Sequence, residues 1–181
     1  MSEQAKTRQR PADVYFFATC VVDQFFPGAG MDAITLLEKQ GIRVHFPEEQ
    51  TCCGQPAYTS GFPDEARKVA AHQLTLFPND WPVVVPSGSC AGMMKHHYPT
   101  LFAADPQRKA KAEALSARIY EFTDFLVNVL GWQPEDKGGD CTVVLHTSCS
   151  ARREMGVHLT GRKLLGGLNK VKVAQQDHES E

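Results

Sequence analysis

Short apolar runs, each followed by a turn and then a segment of helical periodicity, constrain this chain more than any other feature of its sequence. Residues 14–20, Val-Tyr-Phe-Phe-Ala-Thr-Cys, are almost continuously apolar, as a strand buried on both faces of a parallel sheet must be. The turn Pro27-Gly28-Ala29-Gly30 leads to a helix capped by Asp32 and stopped by Gly41. A second strand is expected over 42–46, a second helix over 63–77 with acids in its first turn, and a third strand over 83–86. Ser87-Gly88-Ser89-Cys90 opens a further helix running through Tyr98. Leu115, Ile119, Phe122, Leu126 and Val129 then recur at three- and four-residue steps, which reads as one long helix over 106–130. A fourth strand is expected over 142–147. This alternation is the pattern of an α/β fold with an open, mainly parallel, Rossmann-like sheet and helices on both faces.

In such a sheet every strand-to-helix turn opens on the carboxyl edge, where ligands gather. Cys20 ends the first expected strand, Cys52 and Cys53 follow the second, Cys90 follows the third and Cys149 the fourth. Cys141 falls at a strand's beginning, on the opposite edge. Five of six cysteines on one edge exceeds what packing of small hydrophobes calls for and points to a metal. The Cα atoms of Cys52 and Cys53 are about 3.8 Å apart, short of the usual disulfide span, so the two read as separate thiolates for neighbouring metal atoms. Gly54 and Gly88 would let backbone approach a bulky cofactor, and helix starts near Cys90 and Cys149 favour thiolates. Cys20, Cys52, Cys53, Cys90 and Cys149 are therefore together the candidate metal ligands.

Soft sulfur donors suit iron–sulfur clusters, zinc or copper(I). Paired C-x-x-C knuckles, H-E-x-x-H and the bacterial ferredoxin run are absent, as are G-x-G-x-x-G and the P-loop. Three classes stay open: an iron–sulfur electron carrier, a redox protein using the vicinal dithiol directly, and a zinc-stabilised binding or structural module. The lack of C-x-x-C near a strand–helix junction argues against the second. No catalytic acid–base pair stands out. Glu48-Glu49 reads as a solvated loop, His96-His97 as solvent-facing on a helix, His146 as a minor candidate ligand or proton donor, and Arg152-Arg153 as surface charge able to meet an anion.

The spacing Cys20, Cys52-Cys53-Gly54, Cys90 resembles the CCG-domain, or cysteine-rich domain, iron–sulfur proteins, which include one component of heterodisulfide reductase and the iron–sulfur component of glycolate oxidase. The resemblance is nearest to the lactate utilization protein A group (LutA, also called LldE or YkgE), over residues 14 to about 173. It is carried by Phe-Pro-Glu-Glu-Gln-Thr-Cys-Cys-Gly-Gln-Pro-Ala at 46–57, Pro-Ser-Gly-Ser-Cys at 86–90, Tyr120 through Gly131, and His-Thr-Ser-Cys at 146–149. It implies an iron–sulfur cluster, [4Fe-4S] by ligand count with zinc as the alternative, on Cys20, Cys52, Cys53 and Cys90. It further implies electron transfer within an L-lactate-oxidising complex beside LutB-like and LutC-like companion subunits, the chain being a subunit that does not itself bind substrate. Many relatives end the motif with C-x-x-C, whereas Ser87 stands at the first of those positions here, leaving four cysteines instead of five.

Phe17-Ala18-Thr19-Cys20 is echoed by Leu145-His146-Thr147-Ser148-Cys149, which marks the start of a second pseudo-repeat half. The vicinal pair begins thirty-two positions after Cys20, and thirty-two positions after Cys149 is Glu181, so a second CCG motif is expected to be cut off. The expected organisation is a flexible arm over 1–13, a first CCG half over 14–131, a linker over 132–140 and an incomplete second half over 141–181, with a strand over 168–174 and an untethered tail beyond it. An unfilled sheet edge would then favour self-association and weaker metal retention. Hydrophobic residues at 42% against 22% charged exclude disorder, and a formal charge of −2 argues against nucleic acid as a partner. No apolar run approaches a membrane span, and six cysteines without a secretory signal point to the cytoplasm.

Overall fold

The computed structural model describes residues 10–174. The tail expected over 175–181 lies outside the described residues, as does the expected arm over 1–13 except at its end, where Arg10 hydrogen-bonds Gln40 and Asp13 already belongs to the first strand.

The chain runs β1 (Asp13–Phe16), α1 (Cys20–Phe25), α2 (Pro27–Lys39), β2 (Arg43–His45), α3 (Gln55–Thr59), α4 (Pro63–Gln73) and β3 (Val83–Val85). Helix α5 (Gly88–Gly92) continues through a π-helical stretch, Met93–His97, into α6 (Tyr98–Leu101). Then come α7 (Pro106–Ser116), β4 (Ile119–Glu121), α8 (Phe122–Asp124) with a second π-helical stretch, Phe125–Val129, and β5 (Cys141–Val144), α9 (Cys149–Met155), α10 (Val157–Leu165) and β6 (Val171–Ala174). Strands β2-β1-β3-β4 form one parallel sheet in that order, and β5 pairs in parallel with β6 in a second.

Alternation along the strands explains their continuous apolar character. Tyr15, Phe17, Val83, Val85 and Ile119 enter a core with Ala66 and Ala70 of α4, Ala91 of α5 and Leu115 of α7. Val14, Phe16, Ala18 and Val84 enter another with Ala33 and Leu37 of α2 and with Phe125 and Leu126. Strands β1, β3 and β4 each feed both cores, so helices lie on both faces. No helix among the described residues is long and apolar enough to cross a membrane.

Several expectations are corrected. The long helix over 106–130 is broken: α7 ends at Ser116, and 119–121 form β4 on the outer side of β3. The helical spacing was real on both sides of the break, but Ile119 and Tyr120 belong to opposite cores, and Val83 donates its N–H to the Arg118 carbonyl at 2.8 Å. Pairing along the β3 edge, which a helix there would leave bare, outweighs local periodicity. The turn expected at 27–30 is instead the first turn of α2, with Pro27 at the first helical position. Gly30 sits there because a Cβ would come within 3.0 Å of Val22 on α1. The strand expected over 142–147 is β5, shortened to Cys141–Val144 and placed in the second sheet; the strand expected over 168–174 is β6.

Residues 131–140 carry no helix or strand. The β5–β6 unit packs back on the first sheet's helices through α9 against α5, and Thr160 of α10 meets Thr123 at 2.6 Å between hydroxyls. The carboxylate of Glu121 organises that junction, accepting from the N–H groups of Thr123 at 2.8 Å and Asp124 at 3.1 Å. Burial raises the Glu121 pKa above its ordinary 4.5 despite those bonds. The folded chain thus holds this proton more tightly than the unfolded chain, and the associated stability is present below pH 4.5 and lost as pH rises through the raised value. Thermal melts of wild type and Glu121→Gln at stepped pH should show their difference moving in the variant's favour upward from about pH 4.5; a constant difference would contradict the assignment.

Candidate metal centre

Beyond β1 the chain reaches its first sulfur through a strained turn. Thr19 has φ of +62°, a value a β-branched residue rarely adopts, and its hydroxyl accepts from the Val22 N–H at 3.4 Å to open α1 at Cys20. The second and third sulfurs stand on the loop after β2, where Gly54, at φ +84°, turns the chain into α3. The fourth stands in the first turn of α5, after β3.

These thiols fall into two pairs. The sulfurs of Cys20 and Cys52 are 3.9 Å apart, and Cys53 and Cys90 act on each other's protonation in the buried half of the site. All four are free thiols; Cys53 and Cys90 are buried, Cys20 and Cys52 partly so. Burial raises the Cys20 thiol above its ordinary value, with Cys52 and Cys90 pushing the same way. Cys53 is raised far more, first by its hydrogen bond to Cys90 and then by burial. Cys90 moves the other way, down to about 7, because Cys53 donates to it and the Ser87 and Ser89 hydroxyls add to that against the effect of burial. Ser87, three residues before Cys90, thus supports the neighbouring thiolate.

The loop that carries the vicinal pair is tied down residue by residue. His72 Nε2 lies 2.8 Å from the Glu49 carbonyl, Gln73 donates to Thr51 Oγ1 at 2.8 Å, and the buried Tyr98 hydroxyl donates to the Cys53 carbonyl at 2.9 Å. The Gly54 N–H approaches Cys52 Sγ at 3.4 Å. A cavity of about 420 Å³ opens beside Cys20 and Cys52 and is also lined by Asp23, Phe46 and Glu48.

Cys149 and Cys141 lie elsewhere. Cys149 is exposed at the start of α9 and lines a separate cavity of about 290 Å³ with Gln55, Tyr58, His97, Arg153 and Glu154. Gln55, which begins α3 on the far side of the vicinal pair, reaches towards α9, its amide donating to Ser150 Oγ at 3.4 Å. Cys141 is exposed at the beginning of β5. His146 is exposed. His97 departs from its expected solvent-facing place: its Nε2 lies 3.2 Å from Glu154 Oε1 and its ring packs on Tyr58, because α9 closes over that helix face.

A family model described as the cysteine-rich domain (CCG) matches residues 14–95. Lactate utilization protein A 1 of Bacillus mycoides is 44% identical over 168 residues, covering 91% of this chain and 67% of that protein. Lactate utilization protein A of Shouchella clausii is 46% identical over 143 residues, covering 78% and 59%, and that of a Geobacillus species is 45% identical over 154 residues, covering 84% and 63%. The chain belongs to the lactate utilization protein A family. It spans about two thirds of the length of these relatives.

The donor set of this family member fits a thiophilic cofactor: four soft sulfurs converge from three separate turns, and none is engaged in a disulfide. Among the described residues no three His, Cys, Asp or Glu side chains are grouped as a site for one metal ion. Gly88, expected to admit a cofactor, meets protein instead, whereas Gly54 makes only ordinary contacts and turns the chain at positive φ. A Cβ on Gly54 would lie 3.4 Å from the Ala66 carbonyl of α4, and one on Gly88 would lie 2.5 Å from Ala151 Cβ of α9. Gln50, Gln73 and Tyr98 are the residues that sequence reasoning missed. Gln50 lay within the resembling segment, two residues before the pair, whereas Gln73 and Tyr98 reach it from helices distant in sequence.

Gly88→Ala drives its new methyl into the Ala151 side chain and backbone, whereas Gly92→Ala meets only the movable side chain of Glu154. Gly88→Ala should cost about 1–3 kcal/mol, as overpacking does, and Gly92→Ala less, read from denaturant midpoints. Equal losses would contradict the close α5–α9 contact.

Proposed function

We propose that the chain is an iron–sulfur electron-transfer subunit of an L-lactate-oxidising complex, acting beside LutB-like and LutC-like companions and not binding lactate itself. The observation that carries this reading is the convergence of Cys20, Cys52, Cys53 and Cys90 as two thiol pairs at turns following three parallel strands. The names of the relatives supply the lactate context.

Cys20, Cys52, Cys53 and Cys90 would hold the cluster, four thiolates being the ligand count of a [4Fe-4S] centre. Such a group, when bound, accepts and gives up single electrons. The chain's own part is to supply sulfur at fixed positions and to manage protons. Cys90, already down to about 7, gives up its proton more readily than Cys53 or Cys20, which would keep theirs until positive charge arrives. The buried Tyr98 and the apolar cluster around Cys53 and Cys90 exclude water from one side. Cys20 and Cys52, half-buried beside the open cavity, are the side from which an electron has the shorter path to a partner. A single zinc ion on the same thiols is the second reading, since four thiolates also make a closed tetrahedral zinc site.

Protein purified without oxygen should be brown, with iron and acid-labile sulfide in equal amounts, and Cys53→Ser should bleach it. Zinc in place of iron, or unchanged colour in Cys53→Ser, would overturn the proposal.

A further inference from the structure

In a parallel pair of strands, one residue on the neighbour accepts from the N–H of residue i+1 and donates to the carbonyl of residue i−1. Tyr15 and Phe17 of the β1 segment donate towards β3, to Pro82 at 2.8 Å and Val84 at 2.9 Å. The Phe16 carbonyl and the Ala18 N–H therefore point to the β2 side. There β2 has already ended at His45, and the chain turns away through Pro47, whose carbonyl accepts from the Gln50 N–H at 3.4 Å.

The side chain of Gln50 fills the vacant step of the ladder. Its Oε1 accepts from the Ala18 N–H at 3.0 Å and its Nε2 donates to the Phe16 carbonyl at 3.2 Å. One primary amide thus makes both bonds of a parallel bridge around Phe17, in place of a backbone residue. Phe16 and Ala18 are buried, so water does not replace those bonds freely.

The position of this bridge matters. It lies two residues before Cys20 on one side and two residues before Cys52 on the other, and these sulfurs are 3.9 Å apart. Other ties of the loop among the described residues, Glu49 to His72 and Thr51 to Gln73, run to α4, and Cys53 is tied to Tyr98. Loss of the amide would leave the loop fastened to the helices and free to shift against β1. That motion alters the Cys20–Cys52 spacing and leaves Cys53–Cys90 in place.

We propose that Gln50 is a positioning residue that sets the distance between Cys20 and Cys52 by continuing the β1–β2 ladder with its side chain; its use for cofactor retention rests on the function proposed above. The chemistry singles out glutamine. Glutamate offers the acceptor but no donor for Phe16, asparagine is a methylene too short, and alanine has neither group.

The test uses the reduced, metal-free chain and diamide. In each closure two thiols lose two protons and two electrons, one sulfur–sulfur bond forms, and the N=N bond of diamide becomes a hydrazine. Peptide mapping of wild type, Gln50→Ala and Gln50→Glu follows Cys20–Cys52 and Cys53–Cys90 closure separately. Cys20–Cys52 closure should slow by about tenfold or more in both variants while Cys53–Cys90 closure stays within about twofold, since small misplacements of reacting groups cost rate steeply. Gln50→Glu keeps the side-chain length and the Ala18 bond, and carries the test if Gln50→Ala does not fold. Unchanged Cys20–Cys52 closure, or equal slowing of both pairs, would overturn the proposal. After reconstitution with ferrous iron and sulfide, the variants should also lose iron to a chelator faster than wild type. A wild type that takes up no iron would sink the electron-transfer reading and leave the diamide result standing.

Discussion

Strand β1 is buried on both faces and hydrogen-bonded along both edges, and the thiol site is built outward from it. Its alternate residues enter two separate cores, and its backbone bonds β2 on one side and β3 on the other. A shift of β1 would break a ladder or open a core, so its carboxyl end is a fixed reference. Cys20 is placed from that end by the strained turn at Thr19, and Cys52 through the Gln50 amide. Cys90 follows β3, whose Val84 carbonyl accepts from Phe17. Three of the four sulfurs are thus referred to one short strand.

The electrostatics of the four thiols follow from that convergence. Sulfurs brought this close under partial burial cannot all ionise in isolation, because each thiolate loses hydration and repels the others. Cys20 and Cys53 therefore hold their protons more tightly than free thiols do, while Cys53 and two serine hydroxyls ease ionisation of Cys90. Positive charge among them would let all four become ligands, so that binding and proton release would be coupled. The same geometry places the buried pair against the apolar core and leaves the other pair beside an open cavity.

Much of this was legible in the sequence, and the exceptions share a cause. The apolar runs at 14–17 and 83–85 announced buried parallel strands, and the cysteine spacing placed its residues after them. The edge rule alone also drew in Cys149, which follows a strand of the second sheet and lies elsewhere; the resemblance narrowed the set to four. What local pattern hid was settled by non-local pairing. Ile119-Tyr120-Glu121 continued a helical stripe, yet the bare side of β3 took it as a strand. Gly88 looked like room for a cofactor and is room for α9, because the helix that fills it lies some sixty residues downstream. Gln50 carried no signal of its own, since a side chain standing in for a strand residue is visible only once both strands are in place. His97 likewise met a partner, Glu154, that its own helix gave no hint of.

The central claim is that Cys20, Cys52, Cys53 and Cys90 form one centre, from which Cys141 and Cys149 are separate. Iodoacetamide footprinting of the protein purified without oxygen, read by peptide mass before and after an iron chelator, tests it most directly. The account predicts labelling of Cys141 and Cys149 at once, and of Cys20 and Cys52 only after chelation. Labelling of Cys20 and Cys52 that matches Cys141 before chelation, or chelator-dependent protection of Cys149, would contradict it.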